Sequence, residues 1–200
     1  MARTQALDYA DKRSAIKETS AALFAKNGFH SASILDLAKA CNMSKSSLYH
    51  YFASKDQVLY ELLHDHAQTL IEVAEGIANN DALPAREKLL EFASQLLEIN
   101  VKERDKHTLI LNELEALPAV QRRKISKMLR KPIEVWFDVL TEINPSLGHN
   151  VDMQFPSAMM FIGMINWTHT WFSDRGPVST KQFAHIMCET FLNGFPAVKL

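Results

Sequence analysis

Lys45, Ser46, Ser47, Tyr49 and His50 gather two basic side chains, two hydroxyls and a phenol on a short stretch of chain. These types do one kind of chemistry well together. Lysine and histidine donate to base edges, small serines let a backbone come close, and a tyrosine hydroxyl bonds a phosphate oxygen. Leu48 and Phe52 are four apart and so fall together on the opposite side of a helix. One apolar side and one polar, basic, aromatic side suit a helix lying in the DNA major groove. Lys45, Ser46 and His50 are assigned to base edges, Ser47 and Tyr49 to phosphates. Lys45 carries much of the readout, because serine discriminates bases poorly. Lys55 stands in the first turn of the next helix, where the helix dipole disfavours a cation. A phosphate beside it would remove that conflict, so Lys55 is assigned to the DNA backbone too.

Those residues need a frame, and the chain before them supplies one. Ser33 is an N-cap with Asp36 three residues on, the pattern of a capping box. Leu37 and Ala38 give the helix it starts an apolar side. Cys41-Asn42-Met43 is a turn, with Asn42 tolerating the left-handed backbone that a helix exit needs. Ser44 caps the second helix. A longer helix over 8–27 precedes the pair, with Ile16, Leu23 and Phe24 at helical spacing and Gly28 to stop it. Lys12, Arg13 and Lys17 near its start form either a solvated face or contacts to DNA backbone. Residues 1–8 read as a terminal arm, with Arg3 either frayed or on a phosphate.

The stretch SILDLAKACNMSKSSLYHYFASKDQVL resembles the helix-turn-helix signature of the TetR family of bacterial repressors. The likeness extends back through IKETSAALFAKNGFHSAS and covers residues 12 to 63. Asn42 stands where that family usually has Gly. The resemblance implies an all-α homodimer on a palindromic double-stranded DNA operator. It also implies a backbone contact for Lys55, a small-molecule effector, and a terminal helix pair that makes the dimer.

The remaining chain reads as helices only. One runs from Ala53 or Ser54 to Asn79, and Asn79–Pro84 breaks the pattern. Leu89, Phe92, Ala93, Leu96 and Leu97 mark the next, at i, i+3, i+4, i+7 and i+8. A short helix covers 107–117, and another runs from Pro118 to Ile143 with a kink expected at Pro132. A helix over 154–173 is apolar nearly all round and must be covered on every side. Ser179 or Thr180 caps the last. The fold class is therefore all-α, divided into a three-helix DNA-binding domain over 1–56 and a six-helix ligand-binding and dimerisation domain over 57–200.

Composition restricts the function. Residues 1–60 hold eight Lys and Arg against five Asp and Glu, while the rest holds fourteen against eighteen. A positive head on an acidic body fits local contact with DNA. Cys41 and Cys188 make no disulfide framework and read as reduced thiols of a cytoplasmic protein. No leader is visible at the start, and no apolar run reaches the roughly eighteen residues of a membrane span. There is no GxGxxG, P-loop or GxSxG. His64 and His66, two apart, point to different sides of a helix and make a poor metal pair. No catalytic residue, metal or resident cofactor is assigned, and the chain is read as a non-enzyme.

The body reads as a sensor. An apolar cavity rich in Met and aromatic residues is expected between its helices, lined by Phe92, Leu96, Trp136, Leu140, Met160, Gly163, Asn166 and Trp167. Asn166, an amide on so apolar a helix, needs a buried partner. Phe183, Met187, Thr190 and Phe191 form the dimerisation stripe of the last helix. INWTHTWFSDRGPVSTKQFAHIMCETFLNGF is similar to the terminal pair of TetR-type repressors of fatty-acid, steroid and aromatic-acid catabolism. Several of those answer to acyl-CoA thioesters, which makes such a thioester the expected effector. Arg122, Arg123, Lys124, Lys127, Arg130 and Lys131 form either a solvated basic face or a seat for its phosphates. Three other readings stay open: a DNA-binding or architectural module without a ligand, a sensor of lipophilic drugs or free acids, and an all-α enzyme that keeps the head as scaffold.

Overall fold

The computed structural model describes residues 2–194, with side chains from residue 9 onward. Nine α-helices and no strand occur among the described residues: α1 (Ala2–Asn27), α2 (Ile34–Ala40), α3 (Lys45–Tyr49), α4 (Lys55–Ala78), α5 (Ala85–Lys102), α6 (Arg104–Asn112), α7 (Ala119–Ile143), α8 (Gln154–Asn166) and α9 (Thr180–Gly194). The all-α reading holds. α1 starts at Ala2 rather than at residue 8, and the Arg3 side chain lies outside the described residues. α6 begins earlier than expected, at Arg104, and a 3₁₀ turn over Leu114–Ala116 follows it. α7 continues through Pro132, which has no N–H to give the Met128 carbonyl.

The chain forms two compact units, 1–66 with 105–125 and 67–104 with 126–200. This differs from the expected division after residue 56. The first half of α4 carries the buried Val58, Leu59, Leu62 and Leu63, and it stays with the head. So does α6, through the buried Leu109 and Ile110.

In the first unit local chemistry sets each helix end. Gly28 takes φ +80°, and its N–H reaches the Phe24 carbonyl at 2.8 Å to end α1. Ser33 and Asp36 form the capping box: the Asp36 N–H donates to Ser33 Oγ at 3.1 Å, and the Ser33 N–H to Asp36 Oδ2 at 3.0 Å. The Ser33 hydroxyl also donates to that carboxylate, at 2.6 Å. α2 leaves through Asn42 at φ +52°. There the Asn42 N–H bonds the Lys39 carbonyl and the Met43 N–H bonds that of Ala38, the two bonds of a Schellman turn. The core holds Ile16, Phe24, Phe29, Leu37, Leu48 and Phe52, with Phe24 edge-on to Phe29 at 5.2 Å. His66 and His107, 41 residues apart in sequence, meet in its interior with Nε2 and Nδ1 3.3 Å apart.

The second unit is built around α5. Its buried residues Leu89, Phe92, Ala93, Leu96 and Leu97 belong to one core with Trp136, Val139 and Leu140 of α7, Ala158, Phe161 and Ile165 of α8, and Ala184, Met187, Cys188, Phe191 and Leu192 of α9. Phe92 stacks on Trp136 at 4.1 Å between ring centres, and Phe161 meets Phe191 at 5.0 Å. α8 stops at Asn166, well short of residue 173. The reason is local. The side chains of Thr168, His169 and Thr170 bond the carbonyls three residues before them, which favours the 3₁₀ turn over Trp167–Thr170.

The capping box makes a measurable prediction. The Ser33 hydroxyl, then the Ser33 N–H, hold the Asp36 carboxyl below its ordinary 3.8. A lowered value means the cap stabilises α2 above the unfolded-state pKa and is lost as pH falls through the folded one. Ser33→Ala is expected to raise the Asp36 titration midpoint toward 3.8, read by carboxyl NMR; an unmoved midpoint would refute the cap.

Candidate nucleic-acid interface

α3 has five residues, so its position comes from its surroundings. Ser44 Oγ accepts from the Ser47 N–H at 3.0 Å, and the two serine hydroxyls share a bond of 2.8 Å. Leu48 and Phe52 seal the inward side at 0% and 1% exposure. Lys45, Ser46, Tyr49 and His50 are exposed together on the outward side. The Lys45 ammonium stands 5.8 Å from the centre of the Tyr49 ring. Ser47 is half-buried and partly committed to the cap. The structure thus brings the four outward candidates onto one face and sets Ser47 at its margin.

Lys55 is placed differently from the expectation. Its ammonium donates to the carbonyls of Phe29 and Ala32, both at 2.9 Å, and lies 4.4 Å from the centre of the Phe29 ring. The dipole conflict is therefore answered within the head. Lys55 braces the segment between α1 and α2 against the start of α4, which leaves one ammonium proton for anything else. Arg13 is also internal: it donates to the Tyr51 carbonyl and to Glu61, and covers the Phe52 ring at 4.5 Å. Tyr9 stacks on Tyr51 at 4.9 Å and donates to the His50 carbonyl. Lys17 pairs with Asp65. Tyr9 and Arg13 fasten the exit of α3, a role that helical periodicity does not signal.

The body divides the predicted effector residues. Phe92, Leu96, Trp136 and Leu140 are buried in its core. Met160 and Trp167 are 63% and 68% exposed, and Gly163 is exposed too. The inward arc of α8 is Ser157, Ala158, Phe161 and Ile165, which turns 160, 163 and 167 outward. These three do not line the interior. Asn166 is half-buried, whereas the fully buried amide is Asn100 on α5. The unit's surface carries a groove of about 580 Å³ lined by Thr69, Glu72, Val73, Gly76, Ile77, Asn80, Leu83, Glu91 and Gln95. None of its lining was predicted.

The expected dimerisation stripe is divided in the same way. Met187 and Phe191 are buried in the core of their own unit, and Phe183 is half-buried against Phe172 and Trp171. Only Thr190 faces out. Exposed apolar surface lies instead on Phe155, Met159, Met160, Trp167, Trp171 and Ile186.

The basic run on α7 is not a row of unpaired cations. Arg122 pairs with Glu115, Arg130 with Glu134 and Lys131 with Glu75, and Lys124 lies over the Tyr60 ring. Desolvation by burial pushes the Cys188 thiol up to about 12, so it stays protonated near neutral pH.

A capped helix-turn-helix presenting a basic aromatic face, carried on a chain with an all-helical body, defines a DNA-binding transcription regulator. Residues 16–62 match the family model described as bacterial regulatory proteins, tetR family, and residues 82–195 the one described as the tetracyclin repressor-like C-terminal domain. The second match alone spans over half of the chain, which belongs to the TetR family. It is 26% identical over 193 residues to the HTH-type transcriptional repressor KstR2 of Mycolicibacterium smegmatis, covering 92% of this chain and 91% of that one. A TetR-family transcriptional regulator from Bordetella parapertussis 12822 is 36% identical, with a TM-score of 0.86 over 94% of this chain and 97% of its own. AibR in complex with isovaleryl coenzyme A and operator DNA shares the fold, at TM-score 0.77 and 24% identity over 90% of this chain and 97% of its own.

No described helix is long and apolar enough to cross a membrane.

The geometry separates reading from bracing. Tyr49→Ala is expected to weaken DNA binding at every sequence and lower the log–log salt slope by about one, with an unchanged melting temperature. Lys55→Ala is expected to lower the melting temperature as well, because two backbone carbonyls lose their donor. Lys45→Ala is expected to relax sequence preference. Binding titrations at several salt concentrations with thermal melts check all three, and a Lys55→Ala protein that melts like wild type would contradict the brace.

Proposed function

We propose that this chain is a homodimeric transcriptional repressor that leaves a palindromic operator when an acyl-CoA thioester binds its helical body. The observation that carries the regulatory reading is the outward face of α3, where Lys45, Ser46, Tyr49 and His50 stand exposed together on a helix held from behind. One five-residue helix covers few base pairs. A two-fold pair doubles the contact and sets the half-site spacing.

The partner in that pair is a second copy, docked on the apolar face of α8 and of the turn that follows it. Met160, Trp167 and Trp171 expose 63%, 68% and 55% of their surface there, with Ile186 of α9 at 52%. A Cβ added at Gly163 would meet nothing within its own subunit, so a neighbouring helix can come close at that point. A stable interface buries about 1,600 Å² in total, and large apolar side chains are what its centre needs. Trp167→Glu is expected to give monomers in sedimentation velocity with unchanged helicity, whereas Phe191→Glu places a charge in the subunit core and unfolds it. A wild type that sediments as a monomer at micromolar concentration would refute the dimer.

The effector assignment draws on the relatives. KstR2 is named a repressor, and AibR was crystallised with isovaleryl coenzyme A. The surface groove suits a polyanion poorly, because Glu72 and Glu91 stand in its wall. The acyl group belongs in the apolar interior around Phe92 and Leu140. Octanoyl-CoA is expected to displace a fluorescent operator while octanoate does not; equal potency of the two would remove the thioester from the proposal and leave an apolar-acid sensor.

A further inference from the structure

Two polar atoms in the core of the body have no partner among the described residues: the indole Nε1–H of Trp136 and the side-chain carbonyl Oδ1 of Asn100. Each residue is 2% exposed. Burying a donor or acceptor without a partner costs more than an ordinary hydrogen bond returns, and native cores contain few of them. Neither residue is required by its neighbours. Phenylalanine at 136 would keep the ring stacked on Phe92 at 4.1 Å. Asn100 donates its amide N–H to the Ile165 carbonyl at 3.4 Å, but Thr168 Oγ1 already serves that carbonyl at 2.6 Å. Leucine at 100 would fill a similar volume and leave no orphan.

Their placement is orderly. Phe92, Leu96 and Asn100 follow at i, i+4 and i+8 on one face of α5. Trp136 stacks on the first of them, and Leu140 lies one turn beyond Trp136 on α7. A buried donor beside Phe92 and a buried acceptor two turns along α5 thus have the apolar Leu96 between them. A ligand that satisfies both must offer an acceptor and a donor on a largely apolar body.

We propose that Trp136 and Asn100 are the polar contacts of the effector site. The Trp136 N–H donates to the thioester carbonyl of an acyl-CoA, and Asn100 Oδ1 accepts an amide N–H of its pantetheine arm. A carboxylate offers no donor at neutral pH, which excludes a free acid from satisfying the pair. The assignment rests on the effector reading above and adds to it the two side chains that recognise the thioester.

The test compares octanoyl-CoA with S-octyl-CoA, the thioether that lacks the carbonyl, in operator displacement by wild type, Trp136→Phe and Asn100→Leu. Displacement is scored against each protein's own operator affinity, and each is melted alone. On wild type the thioether is expected to need about fivefold more compound, the worth of one net hydrogen bond. On Trp136→Phe the two compounds are expected to be equal, since the donor to the carbonyl is gone. Asn100→Leu is expected to weaken both by a similar factor, and neither variant melts below wild type. A merely structural Trp136 would move the melt and keep the preference for the thioester. If wild type responds to both compounds with equal potency, or Trp136→Phe keeps the preference, this assignment falls and the effector reading stands. If wild type responds to neither compound, the effector reading falls and takes the assignment with it.

Discussion

A five-residue helix makes too few internal hydrogen bonds to hold itself in water. That constraint governs the whole head. α3 exists only because Ser44 caps it, the turn at Asn42 fixes its entry, and Leu48 and Phe52 are pressed into a core that α1 and α4 help to build. Arg13 and Tyr9 hold the backbone where the helix ends. Lys55 works one layer further out, gathering two carbonyls of the segment before α2 against the start of α4. A charge that looks available for DNA is largely occupied in keeping the reading surface in place.

The body obeys a different constraint. α5 is buried around most of its circumference, and α9 packs its Met187 and Phe191 side onto it. α8 is apolar on both sides, and one side has no cover within the subunit. The core and the outward patch are chemically alike. What separates them is only which arc of the helix meets α5.

That distinction explains what could be read from the residues alone. Caps and turns were legible: Ser33 with Asp36, Ser44, Gly28 and Asn42 act within a few residues of themselves, and the types that do so are few. The outward face of α3 was legible for the same reason. The face of α9 was not, because an amphipathic stripe packs equally well on its own subunit or on a partner. Met160, Gly163 and Trp167 read as interior from sequence because hydrophobicity gives no direction on a helix apolar all round. The partners of Lys55 and Arg13, and the meeting of His66 with His107, depend on residues far away in sequence. Asn100 was missed although its burial decides more than that of Asn166, since a single amide within a clear amphipathic pattern leaves no local trace.

The left-handed turn at Asn42 has one more consequence. The angle at which α3 leaves α2 is set by main-chain bonds from Asn42 and Met43, not by any side chain on the reading face. The side chains of Lys45, Ser46, Tyr49 and His50 take no part in the caps or in the buried contacts that fasten the helix; His50 joins them through its backbone alone. Holding and reading are carried by separate sets of atoms. A lineage of such proteins can therefore drift from one operator to another by exchanging outward residues, each new vocabulary displayed in the same orientation and at little cost to folding.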